Sequence, residues 1–333
     1  MKSVWVHAVL LALALPVAYL TWTRDPDEVA KRGAMLLWNA SADEVAAVEV
    51  HNRVQDFRLD PRSDDGNYIW GTRTYRITTA EDSVTYAQLV MMRDSIGFMV
   101  GDVEGKEVMS LAAAPVAIRE LGMAYDSVKK EFGFGPDTTV VRVTLADGVQ
   151  EMVIGGMVFG GEDRYVIRNP DRTVFVVPGA SLATLLGGDL SLTDRRFHSY
   201  AKDSIASLEI TTPKGSKKWA AVGQIGSTVQ YAPPDSLDQV DIAFSNMMGQ
   251  MDDNGITGYR PDVDPATVTR ILRADYTRAD GSAIGFLELF TRPKPDGTPE
   301  YFLRTEHTRV IVQTYPEIAQ MLENNIDRLW GGN

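Results

Sequence analysis

The sequence predicts an α+β fold: two tandem related modules of antiparallel sheet with packed helices, preceded by one N-terminal transmembrane helix. Three observations carry this expectation. An apolar run from Val4 to Trp22 opens the chain, and two strand patterns, SADEVAAVEV ending at Val50 and AKDSIASLEI ending at Ile210, each open a stretch of strands and helices. The same landmarks then follow each pattern in the same order. The organisation that results is a membrane anchor over 1–24, a juxtamembrane segment over 25–42, a first module over 43–190, a linker over 191–202 and a second module over 203–330.

The anchor rests on length. Val4 to Trp22 is nineteen residues whose only strongly polar members are His7 and Thr21, and at about 1.5 Å per residue a helix of that length spans roughly the hydrocarbon of a bilayer. A cleaved signal peptide is the competing reading. It wants a shorter core and a small-x-small site, whereas Ala12-Leu13-Ala14 lies inside the run and Pro16-Val17-Ala18 matches poorly. Lys2 precedes the span and Asp25, Asp27 and Glu28 follow Arg24, so the positive-inside rule sends the body outward, into the periplasm of a bacterium. The expected location is the inner membrane, single-pass. With no cysteine in the chain, lipid attachment through an acylated cysteine is excluded.

The body has the composition of a folded protein, 44% hydrophobic and 23% charged. A net charge of −12 argues against a nucleic-acid partner, which requires a basic stripe to displace counterions from phosphates. The short basic groups Arg195-Arg196 and Lys217-Lys218 read as solvated surface.

Element by element, Val48 and Val50 flank Glu49 in the alternation of a half-buried strand, and Phe57-Arg58-Leu59 continues that period toward Asp64-Asp65-Gly66. Tyr86, Leu89, Val90, Met92 and Ile96 recur at helical spacing within Ser83 to Val100, and Ile118, Leu121 and Tyr125 predict a second helix over Val116 to Lys130. From Val140 the strands VVRVTL, EMVIGGMVFGG, RYVIR and TVFVV form a meander whose first turn is Ala146-Asp147-Gly148. A short helix with Leu182, Leu185 and Leu186 closes the module. The polar segment Ser191 to Lys202 breaks periodicity and reads as the linker.

The second half repeats the order. SIASLEI opens it, Val240, Phe244, Met247, Met248 and Met251 mark a helix, and Asp264-Pro265 suits the start of a short helix ATVTRIL. Ala279-Asp280-Gly281 again joins two strands, EYFLR and VIV answer RYVIR and VFV, and Ile318, Met321, Leu322 and Leu329 predict a closing helix. The offset between halves is 160 at the opening strand, 133 at the Ala-Asp-Gly turn and 136 at the two later strands. Duplication with an insertion of about 25 residues in the first copy, around 101 to 135, accounts for that drift.

No motif names a chemistry. His7, His51, His198 and His307 are too far apart in sequence for a zinc pair, and each reads as an ordinary histidine. MDDNG over 251–255 and PDVDP over 261–265 lack calcium-loop spacing and read as turns. Neither a nucleophile elbow nor a phosphate loop is present. Gly155-Gly156 and Gly160-Gly161 read as turns or bulges rather than an anion cradle. Trp70, Tyr75, Trp219, Tyr231 and Tyr259 read as packing rather than a sugar-binding face, and Glu49 and Glu209 as solvent-facing strand residues. The expected site list is empty: no catalytic, cofactor-binding or metal-ligating residue, and no cofactor.

The run from Gly133 to Phe197, comprising GFGP, VVRVTLADG, MVIGG, RYVIR, TVFVV and DRRF, resembles the uncharacterised periplasmic domain family associated with gliding-motility-type ABC transporter operons. Phe134 stands where that family usually has Leu, and Pro136 comes one residue early. The resemblance implies an accessory or scaffold subunit of an envelope ABC-transport or gliding system, non-catalytic, whose partner is an inner-membrane ABC permease or a related envelope protein. It carries over no catalytic residue. The alternative from a different class is a cell-envelope enzyme acting on polysaccharide with carboxylates assembled from distant loops.

Overall fold

The structure is a computed structural model and describes residues 35–64, 66–75, 96–136, 138–252 and 255–326. The apolar run Val4 to Trp22 lies outside these residues, as does most of the helix expected over Ser83 to Val100. Among the described residues, no helix is long and apolar enough to cross a membrane. The architecture is a sheet-rich α+β fold with large antiparallel sheets and few helices, divided into two compact units. Unit 1 comprises residues 35–61 and 103–191, and unit 2 residues 62–75, 96–102 and 192–326.

In unit 1, a 3₁₀ turn Ala42–Glu44, held by the Ser41 backbone N–H donating to Glu44 Oε2 at 2.7 Å, launches β2 (Val45–His51). The short strand β1 (Met35–Leu36) precedes it and pairs with β6 (Val116–Ala117). Asn52 closes the next turn by accepting from the N–H groups of Val54 and Gln55, both at 2.8 Å, and β3 (Gln55–Arg62) returns. The meander follows as β8 (Thr139–Leu145), β9 (Gly148–Met157), β10 (Arg164–Asn169) and β11 (Thr173–Val177). With β7 (Arg119–Met123), the unit's sheet order is β3-β2-β8-β9-β10-β11-β7, antiparallel at every pairing given.

Two helices cover one face of this sheet. Val108, Leu111 and Ala112 of α1 (Asp102–Ala113) and Leu185 of α3 (Gly179–Leu186) meet Val48, Val141 and Met152 of β2, β8 and β9. Each fully buried aliphatic side chain contributes about 1.5–3 kcal/mol to that contact. The expected helix over Leu182, Leu185 and Leu186 is therefore α3, followed by the single turn α4 (Asp189–Leu192), whereas α1 carries no sequence expectation at all.

The helix expected over Val116 to Lys130 is corrected: only α2 (Asp126–Glu131) is helical, and β6 and β7 occupy the rest. The reason is tertiary. The Ile118 N–H donates to the Val176 carbonyl at 2.8 Å and the Ala124 N–H to that of Arg172 at 2.8 Å, so the segment completes the edge of β11. Gly122, at φ 89°, sits in a backbone region a helix does not use. The end of the other expected helix is corrected too, since Ile96–Met99 is strand β5 and Val100 bridges to Thr193.

In unit 2, β5 pairs with β4 (Tyr68–Tyr75). The pair interlocks through glycine: a Cβ on Gly71 would strike the Phe98 ring, and one on Gly97 would strike the Trp70 indole. A 3₁₀ turn Lys202–Ser204 launches β12 (Ser207–Thr212), followed by β13 (Gly215–Ile225) and β14 (Thr228–Ala232). Then come α5 (Ile242–Asp252), β15 (Ile256–Tyr259), β16 (Thr269–Thr277), β17 (Ala283–Pro293), β18 (Pro299–Thr305), β19 (Val312–Thr314) and α6 (Pro316–Asn325). The helix expected around Phe244, Met247, Met248 and Met251 is α5, which buries all four; Val240 lies outside it, exposed. The helix expected over ATVTRIL is corrected to one 3₁₀ turn, Pro265–Thr267, capped by Asp264, because Thr269 already enters β16.

The second sheet runs β14-β13-β12-β16-β17-β18-β19-β15. Its last seven strands follow the order of unit 1 strand for strand, with one helix before the final edge strand in sequence and one after the penultimate. The register agrees as well. Val48 pairs with Leu59 and Val143, Leu208 pairs with Trp219 and Tyr276, and all six are buried.

Candidate functional site

A group of polar side chains, buried or partly buried, lies in unit 2, where residues 194–198 meet the turn after β18. Asp194 and His198 belong to the first segment and Glu306 and His307 to the second, and they pair crosswise. His307 Nε2 lies 2.9 Å from Asp194 Oδ2, and His198 Nδ1 lies 3.0 Å from Glu306 Oε1. Between the two pairs, the Thr305 hydroxyl donates to the Phe197 carbonyl, and the Tyr259 hydroxyl donates to the Asp194 carbonyl at 2.9 Å. A segment that breaks every hydrophobic period is thus fastened by side chains.

Asp194 is the better enclosed of the acids, its side chain 3% exposed. Burial alone would raise its carboxyl. Hydrogen bonds from His307, from the Arg196 guanidinium at 2.6 Å and from the Arg196 N–H at 2.9 Å outweigh that cost and hold the group well below the usual carboxylate range. Arg196 also reaches Asp102 at 2.9 Å, and these bonds raise its already high value further.

Around His198 the cluster extends inward. Its ring packs on Tyr200 and Tyr276, with centroids 4.7 and 5.3 Å away, and Asp252 at the end of α5 stands 4.0 Å from Nε2, with the Lys202 ammonium 3.6 Å from its other oxygen. Glu306 accepts from the Phe286 N–H at 3.0 Å. Gly285 permits this approach, since a Cβ there would meet both Glu306 Oε2 and the Tyr200 ring. Burial first, and then the charges of Glu306 and Asp252, push the Tyr200 hydroxyl far above its ordinary value; burial does the same to Tyr276.

A carboxylate–imidazole pair is what a general base requires. Here His198 is 11% exposed and packed on two tyrosine rings, and its contact with Glu306 ties the 194–198 segment to the turn after β18. Among the described residues, no group of three or more His, Asp or Glu is placed to hold a metal ion.

A second polar assembly occupies the other face of the same strands. Glu288 of β17, its side chain 2% exposed, takes Arg270 at 3.0 Å and Arg273 at 3.1 Å on one oxygen and Arg304 at 2.6 Å on the other. Burial would raise this carboxyl, and the three guanidiniums more than offset it. Arg273 also stacks over Phe286 at 4.4 Å. Nearby, Arg260 and Arg292 both bond Glu300 and both lie over Phe302. The arginines and acids alternate across β16, β17 and β18, as cross-strand pairs of opposite charge do.

The remaining sequence candidates are placed as follows. His51 pairs with Asp56 at 2.8 Å, about one-third exposed, and His7 lies outside the described residues. Asp252 of MDDNG joins the His198 cluster, while Asp262 pairs with Arg260 and Asp264 caps its turn. Gly155 and Gly156 sit inside β9, where the Gly156 N–H donates to the Phe132 carbonyl at 2.8 Å, and Gly160 is a turn residue. Trp70, Trp219, Tyr231 and Tyr259 are all buried; Trp219 stacks on Phe244 at 3.8 Å. Glu49 pairs with Arg58, and Glu209 is exposed.

The crosswise pairs have no short-range signature, because their partners are 113 and 108 residues apart. The usable signal is that both segments carry one acid and one imidazole within a stretch lacking periodicity. Comparison with protein-family models, with curated proteins and with solved structures returns no match to this chain.

Proposed function

We propose that the two units are copies of one ancestral module and that the protein is a membrane-anchored, periplasmic, non-catalytic accessory subunit of an ABC-transporter-like envelope system, docking partners on two similar sheets. One observation carries the reading: a seven-strand order that recurs with its buried positions. Val48, Leu59 and Val143 correspond to Leu208, Trp219 and Tyr276 at offsets of 160, 160 and 133, and Leu182 and Leu185 correspond to Ala319 and Leu322 at 137. In this reading the insertion moves. Most of the extra length of the first copy falls between β3 and α1, over 63–101, and a smaller part between β7 and β8, instead of all of it over 101 to 135.

The anchor at Val4 to Trp22 and the resemblance of Gly133 to Phe197 supply the location and the type of partner. Mild detergent extraction with an affinity tag after Asn333 tests the role. Recovery of an ABC permease in fixed ratio supports it, and recovery of the chain alone under every detergent removes it. A reporter fused at the same place and active only in the cytoplasm would overturn the orientation.

A second reading has one observation in its favour: Asp252 and Glu306 place two carboxylates on either side of His198. Hydrolysis of labelled envelope polysaccharide that is abolished by Asp252→Asn or Glu306→Gln in a folded protein would establish an enzyme instead.

A further inference from the structure

Of the large apolar side chains exposed on unit 1, Phe159 stands furthest from any cover, at 102% of the reference exposure, and its neighbour Met157 is 61% exposed. Met157 ends β9 and Phe159 lies in the connection between β9 and β10. The Gly161 N–H donates to the Val158 carbonyl at 3.2 Å, and Gly160 at the third position has φ 80°, the positive angle a type II turn requires there. Phe159 therefore occupies the second corner of a defined turn and projects from it.

The turn is fixed at its base. The Val158 N–H donates to the Asp163 carbonyl at 2.8 Å, and the Asp163 carboxylate accepts from the Gly179 N–H, at the start of α3, at 3.3 Å. A Cβ on Gly179 would collide with the Glu162 carbonyl, so the loop is seated closely against that helix. A side chain on such a base loses little freedom on binding.

Nothing in the backbone demands apolar residues here. Unit 2 closes the corresponding hairpin, between β17 and β18, with a shorter turn, in which the Lys294 N–H donates to the Thr298 carbonyl at 2.8 Å, the Gly297 N–H donates to the Lys294 carbonyl at 2.9 Å and Gly297, at the fourth position, has φ 84°. That tip reads Lys-Pro-Asp-Gly-Thr and carries no large apolar side chain. The Met157-Val158-Phe159 sequence is thus an addition to the turn rather than a condition of it, and it leaves apolar surface in water at a cost that folding does not recover.

We propose that the β9–β10 tip is a docking peg, with Phe159 entering an apolar pocket of a partner protein whose rim is basic. The rim follows from charge: residues 157–163 carry Glu162 and Asp163 and no lysine or arginine, on a chain of net charge −12. The same charges oppose an anionic bilayer, to which interfacial segments bind through basic residues. The proposal rests on the docking role put forward above and names the contact through which it is exercised.

The test uses the full chain in its own cells, with a benzoyl-phenylalanine photocrosslinker at position 159, at Val149 on the same strand pair and at Asp296 in the polar tip. The expected result is a protein adduct from 159 that Asp296 does not give. The purified adduct partner should bind the full chain at least about tenfold more weakly after Phe159→Ser, with the thermal midpoint unmoved, and normally after Phe159→Trp. Adducts from 159 to phospholipid alone, absence of any protein adduct there, or an affinity indifferent to Phe159→Ser each overturns the peg. A membrane-protein adduct from Val149 without one from 159 removes the peg and leaves the accessory role standing; no protein adduct from any position removes both.

Discussion

Removing Asp194 should unfasten unit 2. Its carboxylate accepts four hydrogen bonds, from His307 Nε2, from the Arg196 N–H and from the Arg196 Nε and terminal nitrogen, and its side chain is 3% exposed. Arg196 is half exposed and retains Asp102, so releasing it costs little. His307 is 11% exposed and would lose the carboxylate partner of its Nε2. A charged hydrogen bond inside a protein is worth about 1.5–3 kcal/mol, and breaking a buried pair by deleting one partner about 3–5 kcal/mol. Asp194→Ala should therefore cost about 3 kcal/mol. Urea unfolding followed by tryptophan fluorescence reads this, because Trp219 and Trp70 are buried in unit 2. Combined with His307→Ala, the losses should fall short of additivity by more than about 1 kcal/mol, as coupled partners do. His51→Ala in unit 1, where the pair with Asp56 is one-third exposed, should cost at most about 1 kcal/mol. A loss at Asp194 no larger than that control, or strict additivity with His307→Ala, would refute the bracing role.

Acid titration should act through the same groups. Asp194 and Glu288 have depressed values in the fold, so their contribution is complete above the ordinary carboxylate range near pH 4 and disappears as pH falls below it; a urea midpoint at pH 3 equal to that at pH 7 would contradict this. Alkali should act through Tyr200, Tyr231 and Tyr276, whose raised values make their contribution complete below about pH 10 and lost above it. The chain has twelve tyrosines, and exposed ones such as Tyr125 and Tyr315 can ionise in the folded protein, so tyrosinate absorbance should rise in two stages, the second appearing only together with unfolding; ionisation of every tyrosine in a still-folded protein would refute it. Gly285→Ala forces a Cβ against Glu306 and Tyr200 and should cost about 1–3 kcal/mol, which the same urea curves measure. Glu288→Gln removes the charge that gathers Arg270, Arg273 and Arg304, and should lower stability by about 2–4 kcal/mol, an effect that 1 M salt should leave largely unchanged because the carboxylate is enclosed.

Strand periodicity and turn chemistry were legible where a single face is buried. Val48 and Val50 around Glu49, the Ala-Asp-Gly turns and the Phe244 to Met251 spacing all led to β2, β8–β9, β16–β17 and α5. Over 116–130 the reading failed because Ile118, Leu121 and Tyr125 have helical spacing yet lie exposed on and beside the edge strand β7, which is set by the open edge of β11. No local pattern announced α1, whose large buried residues Val108, Met109 and Leu111 crowd into its second half while Gly105, Ala112 and Ala113 make up the rest of the buried face. The cluster around Asp194 and His198 was invisible for a different reason. Hydrogen bonds between residues more than a hundred positions apart leave no period, and a polar stretch without period looks the same whether it is a free linker or, as here, a segment held by its side chains.

Hydrogen–deuterium exchange on the full chain tests the claim of one module built twice. In both units the central strands, β2 and β8 in the first and β12 and β16 in the second, should exchange slowest, and the edge strands β7 and β15 fastest, because protection follows position in the sheet. Two matching profiles at offsets of 160 and 133 are the predicted result. Slow exchange at β7 with fast exchange at β2, or two units whose protected strands do not correspond, would contradict it.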